Sequence, residues 1–164
     1  MAFPPRPQLP DEGLVFDFFW AFTTIECGMK HAGLHTTRGN SNVIEADWDG
    51  FTTELVDYAT ERSQTFILAA RNLQRFRIQR LELIGNIPTW RPVERGRMGE
   101  VEFTLYLLRL VRNNLFHGGK YEFGAPAEQV ERDTNIIRAA LSVLDQCFEH
   151  HPRVKVAVER AAAA

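Results

Sequence analysis

The sequence predicts an all-α fold, a compact bundle of about five helices, on three observations. Apolar residues recur at helical spacing in long stretches, while glycine and proline concentrate in the gaps between them. The composition, 45% hydrophobic and 24% charged over 164 residues, is that of one ordinary globular core. No internal repeat is present, which sets solenoid architectures aside.

Pro4, Pro5, Pro7 and Pro10 keep the first dozen residues from forming a helix, so 1–12 is expected as a flexible lead-in to a domain over 13–152. Asp11 and Glu12 open a helix from Leu14 to about Ala32, with Phe16, Phe19, Trp20, Thr23 and Cys27 recurring on one face. Gly33 stops it, and Thr36–Asn42 follows as a polar loop. Asp47 or Asp49 caps a second helix reaching about Arg62, with Trp48, Phe51, Leu55 and Tyr58 on one side. Ser63 or Gln64 opens a third through Phe66, Ala69, Ala70 and Leu73.

Residues 74–92 carry two readings. The third helix continues through Ile84, or, the preferred reading, the chain becomes extended from Ile78 and forms a small β-hairpin near 78–91. Leu81, Leu83 and Trp90 flank the turn-forming pair Gly85-Asn86, and Pro88 and Pro92 oppose a helix. Glu100 to Phe116 is a helix free of glycine and proline, ended by Gly118-Gly119. A last helix runs from Pro126 or Ala127 to His150, burying Ile136, Ile137, Ala140, Leu144 and Phe148. Pro152 ends or kinks it, leaving 153–164 as a tail without a core pattern.

Nineteen Lys and Arg stand against 21 Asp and Glu, a net charge of −2. Such a chain does not attract phosphate as a whole, and any nucleic-acid contact must come from a local patch. Cys27 and Cys147 lie far apart, outside any Cys-x-x-Cys pair, and read as buried reduced thiols rather than a disulfide or zinc framework. Cys27, His31 and His35 lack a fourth metal ligand, and neither metal nor cofactor is expected. The aromatic run Phe16 to Phe22 is too short for a signal peptide and contains Asp17, so a soluble, cytoplasmic protein without membrane contact is expected.

The helix over 100–116 is the informative one. Glu102, Tyr106, Arg109, Asn113 and His117 fall on one polar ridge, while Val101, Leu105, Leu108, Val111 and Leu115 form an apolar stripe bordered by Phe103, Leu107 and Leu110. Arg112 sits beside the ridge and reaches the same space through its long side chain. His117, at the last turn, sits where the helix dipole favours its protonated form. A histidine, an arginine fork and an orienting amide suit RNA cleavage, because RNA carries its own 2′-hydroxyl nucleophile and no metal is required. The reaction has two proton transfers, and a second imidazole would come from a symmetric copy of the helix.

The run Val111-Arg-Asn-Asn-Leu-Phe-His-Gly-Gly-Lys120 resembles the signature of the HEPN superfamily, in its form from a defence-associated bacterial branch. The aromatic first helix with Glu26 and the Asp47-Trp48 helix start are similar to that branch as well. The resemblance implies a helical homodimer with a composite site and metal-independent endoribonuclease activity. It also implies a toxin–antitoxin or anti-phage role, with an antitoxin or defence-system partner protein. It makes Arg112 and His117 catalytic and Asn113 supporting. Where some toxins of the superfamily carry a modified tyrosine two residues after the histidine, this chain has Gly119, so that mode of regulation is not carried over. A non-catalytic HEPN module that binds a nucleotide, RNA or a partner protein is the alternative.

Around this motif, Lys120 is a candidate phosphate contact. Arg109 either contacts RNA or pairs with Glu102 or Glu100, and Asn114 reads as a structural hydrogen-bonder. Arg71, Arg75, Arg77 and Arg80 around Phe76 form either one wall of an RNA groove or a solvated face. His150-His151 reads as complementing a helix dipole.

Overall fold

The computed structural model describes residues 10–39, 42–58, 62–116 and 127–163, and the side chain of Phe116 lies outside it. These residues form α1 (Glu12–His31), a short hairpin of β1 (His35–Thr37) and β2 (Ile44–Ala46), α2 (Trp48–Asp57) and α3 (Gln64–Gln74). A second hairpin, β3 (Gln79–Ile84) with β4 (Ile87–Pro92), leads to α4 (Glu100–Phe116), α5 (Ala127–His150) and α6 (Pro152–Ala162). The architecture is mostly helical, with two small antiparallel sheets in addition. α1 packs on α5 and α6, and α3 packs on α4 and α5.

Local chemistry sets most boundaries. Asp11, Asp47 and Ser63 each N-cap the helix that follows, accepting from the backbone N–H of Leu14, Gly50 and Phe66 respectively. α2 stops at Asp57, short of the expected end near Arg62. The extended reading of 78–91 holds. Ile84 pairs with Ile87 across the two-residue turn Gly85-Asn86, and Gly85 takes φ 61°, as the first position of a II′-type hairpin requires. The expected stripes of α2 through α5 are buried, except that Tyr58, Leu115 and Phe148 stay partly open.

Four expectations need correction. The count of about five helices is six among the described residues, because 152–162 is a helix rather than a tail. Pro152 occupies its first turn, where a missing N–H costs nothing, and His151 caps it, with Nδ1 accepting from Val154 N–H at 3.4 Å. The stretch expected as a loop over 36–42 begins in a strand, with His35 to Thr37 pairing with Ala46 to Ile44. Cys27 is exposed, whereas Cys147 is buried and its thiol is pushed up to about 12 by burial.

The fourth correction is the face of α1. Its buried residues are Phe18, Phe22, Ile25, Gly28 and Met29, while Phe16 and Trp20 are 64% and 65% exposed. The helix is aromatic nearly all round, so periodicity alone leaves two competing faces. Gly28 decides between them. A Cβ there would stand 2.6 Å from Val158 Cγ2 and 2.9 Å from Val154 Cγ1, so α6 approaches α1 more closely than any larger residue permits.

One aromatic run connects α1, α2 and the start of α6. Phe22 meets Trp48 at 5.1 Å between ring centroids, Trp48 meets Phe51 edge-on at 5.5 Å, and Phe51 stacks on His151 at 4.6 Å. Burial pushes the His151 pKa down, against the opposing pull of the Glu54 carboxylate 3.5 Å away. A ring whose Nδ1 accepts a hydrogen bond is the neutral imidazole. His150 turns the other way, to Ser63 Oγ at 2.9 Å, so neither histidine merely complements the end of α5.

Candidate functional site

α4 carries three of the expected site residues to one place. Its N-terminus is fixed by Glu102, which accepts from Gly99 N–H at 3.2 Å, and by Glu100, held between Gln74 and Arg95. Farther along, the Asn114 side chain donates to Gln79 O at 2.9 Å, tying α4 to β3. With Asn114 facing the hairpin and Val111 buried, Arg109, Arg112 and Asn113 line the opposite side.

That side is the wall of a cleft of about 420 Å³ between α1, β2, α2 and α4, within the usual range of ligand sites. α1 contributes Phe22, Glu26 and Lys30, which are successive residues of one i, i+4 row. β2 adds Glu45, and Trp48 at the start of α2 forms part of the lining. Three cations and two carboxylates thus face one space, leaving one net positive charge.

The rings organise the cations. Arg112 Cζ lies 5.8 Å from the centre of the Phe22 ring, and Arg109 Cζ lies 5.9 Å from that of Trp48. Arg112 also donates through Nη1 to Asn113 Oδ1 at 3.1 Å, so guanidinium and amide act as a coupled pair. Trp48, itself 8% exposed, donates from Nε1 to Glu26 Oε1 at 3.1 Å. The indole thereby fixes the carboxylate to a wall built on the hydrophobic core.

Arg109, Arg112 and Asn113 are therefore brought together, whereas His117 and Lys120 lie outside the described residues. Arg109 takes neither expected carboxylate. Glu100 belongs to Arg95 and Gln74, Glu102 to the helix cap, and the guanidinium lies over Trp48 instead. Glu102 and Arg109 on the polar ridge are both exposed. The basic segment behaves largely as a solvated, paired face: Arg77 meets Glu94, and Arg80 meets Glu82 and Tyr106.

No protein family, curated protein or solved structure matches the chain significantly. What the site can do thus rests on its own chemistry. Among the described residues, no helix is long and apolar enough to cross a membrane, and no group of three His, Cys, Asp or Glu side chains is placed to hold a metal ion.

Lys30 and Glu45 line the cleft but are not among the site residues expected from the sequence. A signal for Lys30 was present. Phe22, Glu26 and Lys30 repeat every fourth residue beside the buried stripe of α1, the spacing of a row that borders a core. Glu45 carried no such signal, because its position depends on the β1–β2 pairing.

Proposed function

We propose that this chain is a metal-independent endoribonuclease of the HEPN type that works as a homodimer and as a toxin or anti-phage defence effector. One observation carries the reading: Arg112 and Asn113 of the motif, and Arg109 one turn before them, share a single cleft with Lys30. In this reading the guanidinium of Arg112 grips two oxygens of the scissile phosphate, and Asn113 keeps that fork in place. Arg109 and Lys30 draw the flanking phosphates into the cleft. The 2′-hydroxyl attacks phosphorus, the 5′-oxygen leaves, and His117 transfers a proton, with the equivalent imidazole of a second copy taking the complementary role. An antitoxin or defence-system protein would then restrain the activity.

The runner-up is a non-catalytic HEPN module that binds a nucleotide, RNA or a partner protein. The two carboxylates favour it, since Glu26 and Glu45 help to hold a ligand but do not promote attack on an anionic phosphate. Purified protein incubated with RNA in excess EDTA separates the two. Cleavage leaving 2′,3′-cyclic phosphate ends is the expected result. Activity that disappears with the chelator, or RNA that binds and stays intact, contradicts the endoribonuclease reading.

A further inference from the structure

A carboxylate is an unexpected wall for a phosphate site, and Glu26 is held there deliberately. The ordinary role for it would be an ion pair with Lys30, one turn along the same face of α1. Among the described residues that pair is not formed. Glu26 turns instead to Trp48, and Oε1 accepts the indole N–H at 3.1 Å. The ring that orients it is packed between Phe22 and Phe51, so the carboxylate is held by the core rather than by a mobile surface partner. Oε2 takes no hydrogen bond from any described residue.

A positioned carboxylate accepts and never donates, and its two oxygens suit a pair of N–H groups lying side by side. Among the nucleobases only guanine offers that pair, N1–H beside the N2 amine, on its Watson–Crick edge. Adenine and cytosine place a ring acceptor next to the amine, and uracil flanks its one N–H with two carbonyls, so each sets a lone pair against the carboxylate. The opposite wall supplies the cations a nucleotide phosphate needs, Arg109 and Arg112, and Lys30 stands beside Glu26. The cleft volume of about 420 Å³ is enough for one nucleotide.

We propose that the cleft between α1, β2 and α4 selects a guanosine nucleotide, with Glu26 reading the guanine edge and Lys30, Arg109 and Arg112 holding its phosphate. The inference rests on the reading of this cleft as the RNA site, and it names the base that the site prefers. A guanosine within single-stranded RNA and a free guanosine phosphate present the same chemistry, and the test separates them.

Quenching of tryptophan fluorescence, read in parallel with calorimetry, gives the affinities of 3′-GMP, 3′-IMP, 3′-AMP, 3′-CMP and 3′-UMP. The same series is run as short single-stranded RNAs carrying one variable base. Guanosine is expected to bind more tightly than inosine, which lacks only the N2 amine, by roughly 5- to 150-fold, the discrimination of one bidentate base contact. Glu26→Gln keeps an acceptor for Trp48 and is expected to erase the preference, whereas Lys30→Ala weakens all bases alike. A preference seen with the oligonucleotides alone assigns the site to RNA, and one shared by the mononucleotides assigns it to free guanosine phosphates as well. Equal affinity for all bases, or a preference that survives in a folded Glu26→Gln protein, overturns the proposal. Because binding is read without cleavage, guanosine preference in an inactive protein rejects only the endoribonuclease, and cleavage without base preference rejects only this inference.

Discussion

If the chain is the proposed endoribonuclease, replacing Arg112 or His117 with alanine is expected to lower RNA cleavage by about 10²- to 10⁴-fold while the protein stays folded, the scale of losing a phosphate clamp or a proton-transfer group. The Arg112 guanidinium lies over Phe22 and bonds Asn113. A thermal melt of each variant separates lost chemistry from lost folding. Arg112→Lys restores charge but not the planar fork, so it recovers only part of the rate. The double variant is expected to be no slower than the worse single one, as groups that serve one transition state are non-additive.

Phe51→Ala is the substitution with the largest expected effect on stability. Phe51 is fully buried, meets Trp48 edge-on and stacks on His151, so removing it opens a cavity where α2 meets the start of α6. Such truncations cost about 3–5 kcal/mol. In a chain of 164 residues this lowers the Tm by roughly 6–20 °C, given about 2–4 °C per kcal/mol at this size. The consequence reaches the cleft. Trp48 loses the ring behind it, and with it goes the fixed position of Glu26 and of the Arg109 guanidinium. Ligand affinity well below the melting transition is therefore expected to fall along with the Tm. A melt within about 2 °C of wild type would show that the cavity collapses at little cost.

Much of this arrangement was legible in the residues, for identifiable reasons. The helix over 100–116 combines an unbroken apolar stripe with a polar line, and its start at Glu100 matches the structure, while its expected end before Gly118-Gly119 lies outside the described residues. Gly85-Asn86 between apolar segments determined both turn and register of the second hairpin. Where the reading failed, a tertiary partner was missing. The buried face of α1 depends on α6 approaching Gly28, and α6 gives a weak signal because Val154 is its only buried residue. The first hairpin, three residues to a strand and exposed nearly throughout, has no apolar alternation to betray it. The α4 side of the site could be read from one helix, Arg112 and Asn113 from the motif and Arg109 from the polar ridge. The facing wall of Glu26, Lys30, Glu45 and Trp48 is assembled from three elements distant in sequence, and only folding brings it opposite Arg112.

In the proposed reading RNA lies in the cleft beside Arg112 and Asn113, and photo-cross-linking to an uncleavable 2′-O-methyl RNA locates it. Mass-spectrometric mapping is expected to place the adducts on the segments of α1, α2 and α4 that line the cleft, at Phe22 to Lys30, Trp48, and Arg109 to Asn113. Adducts confined to the arginines of 71–80 and the β3–β4 hairpin would contradict the account, because they would put the RNA on the paired basic face and leave the cleft without a substrate.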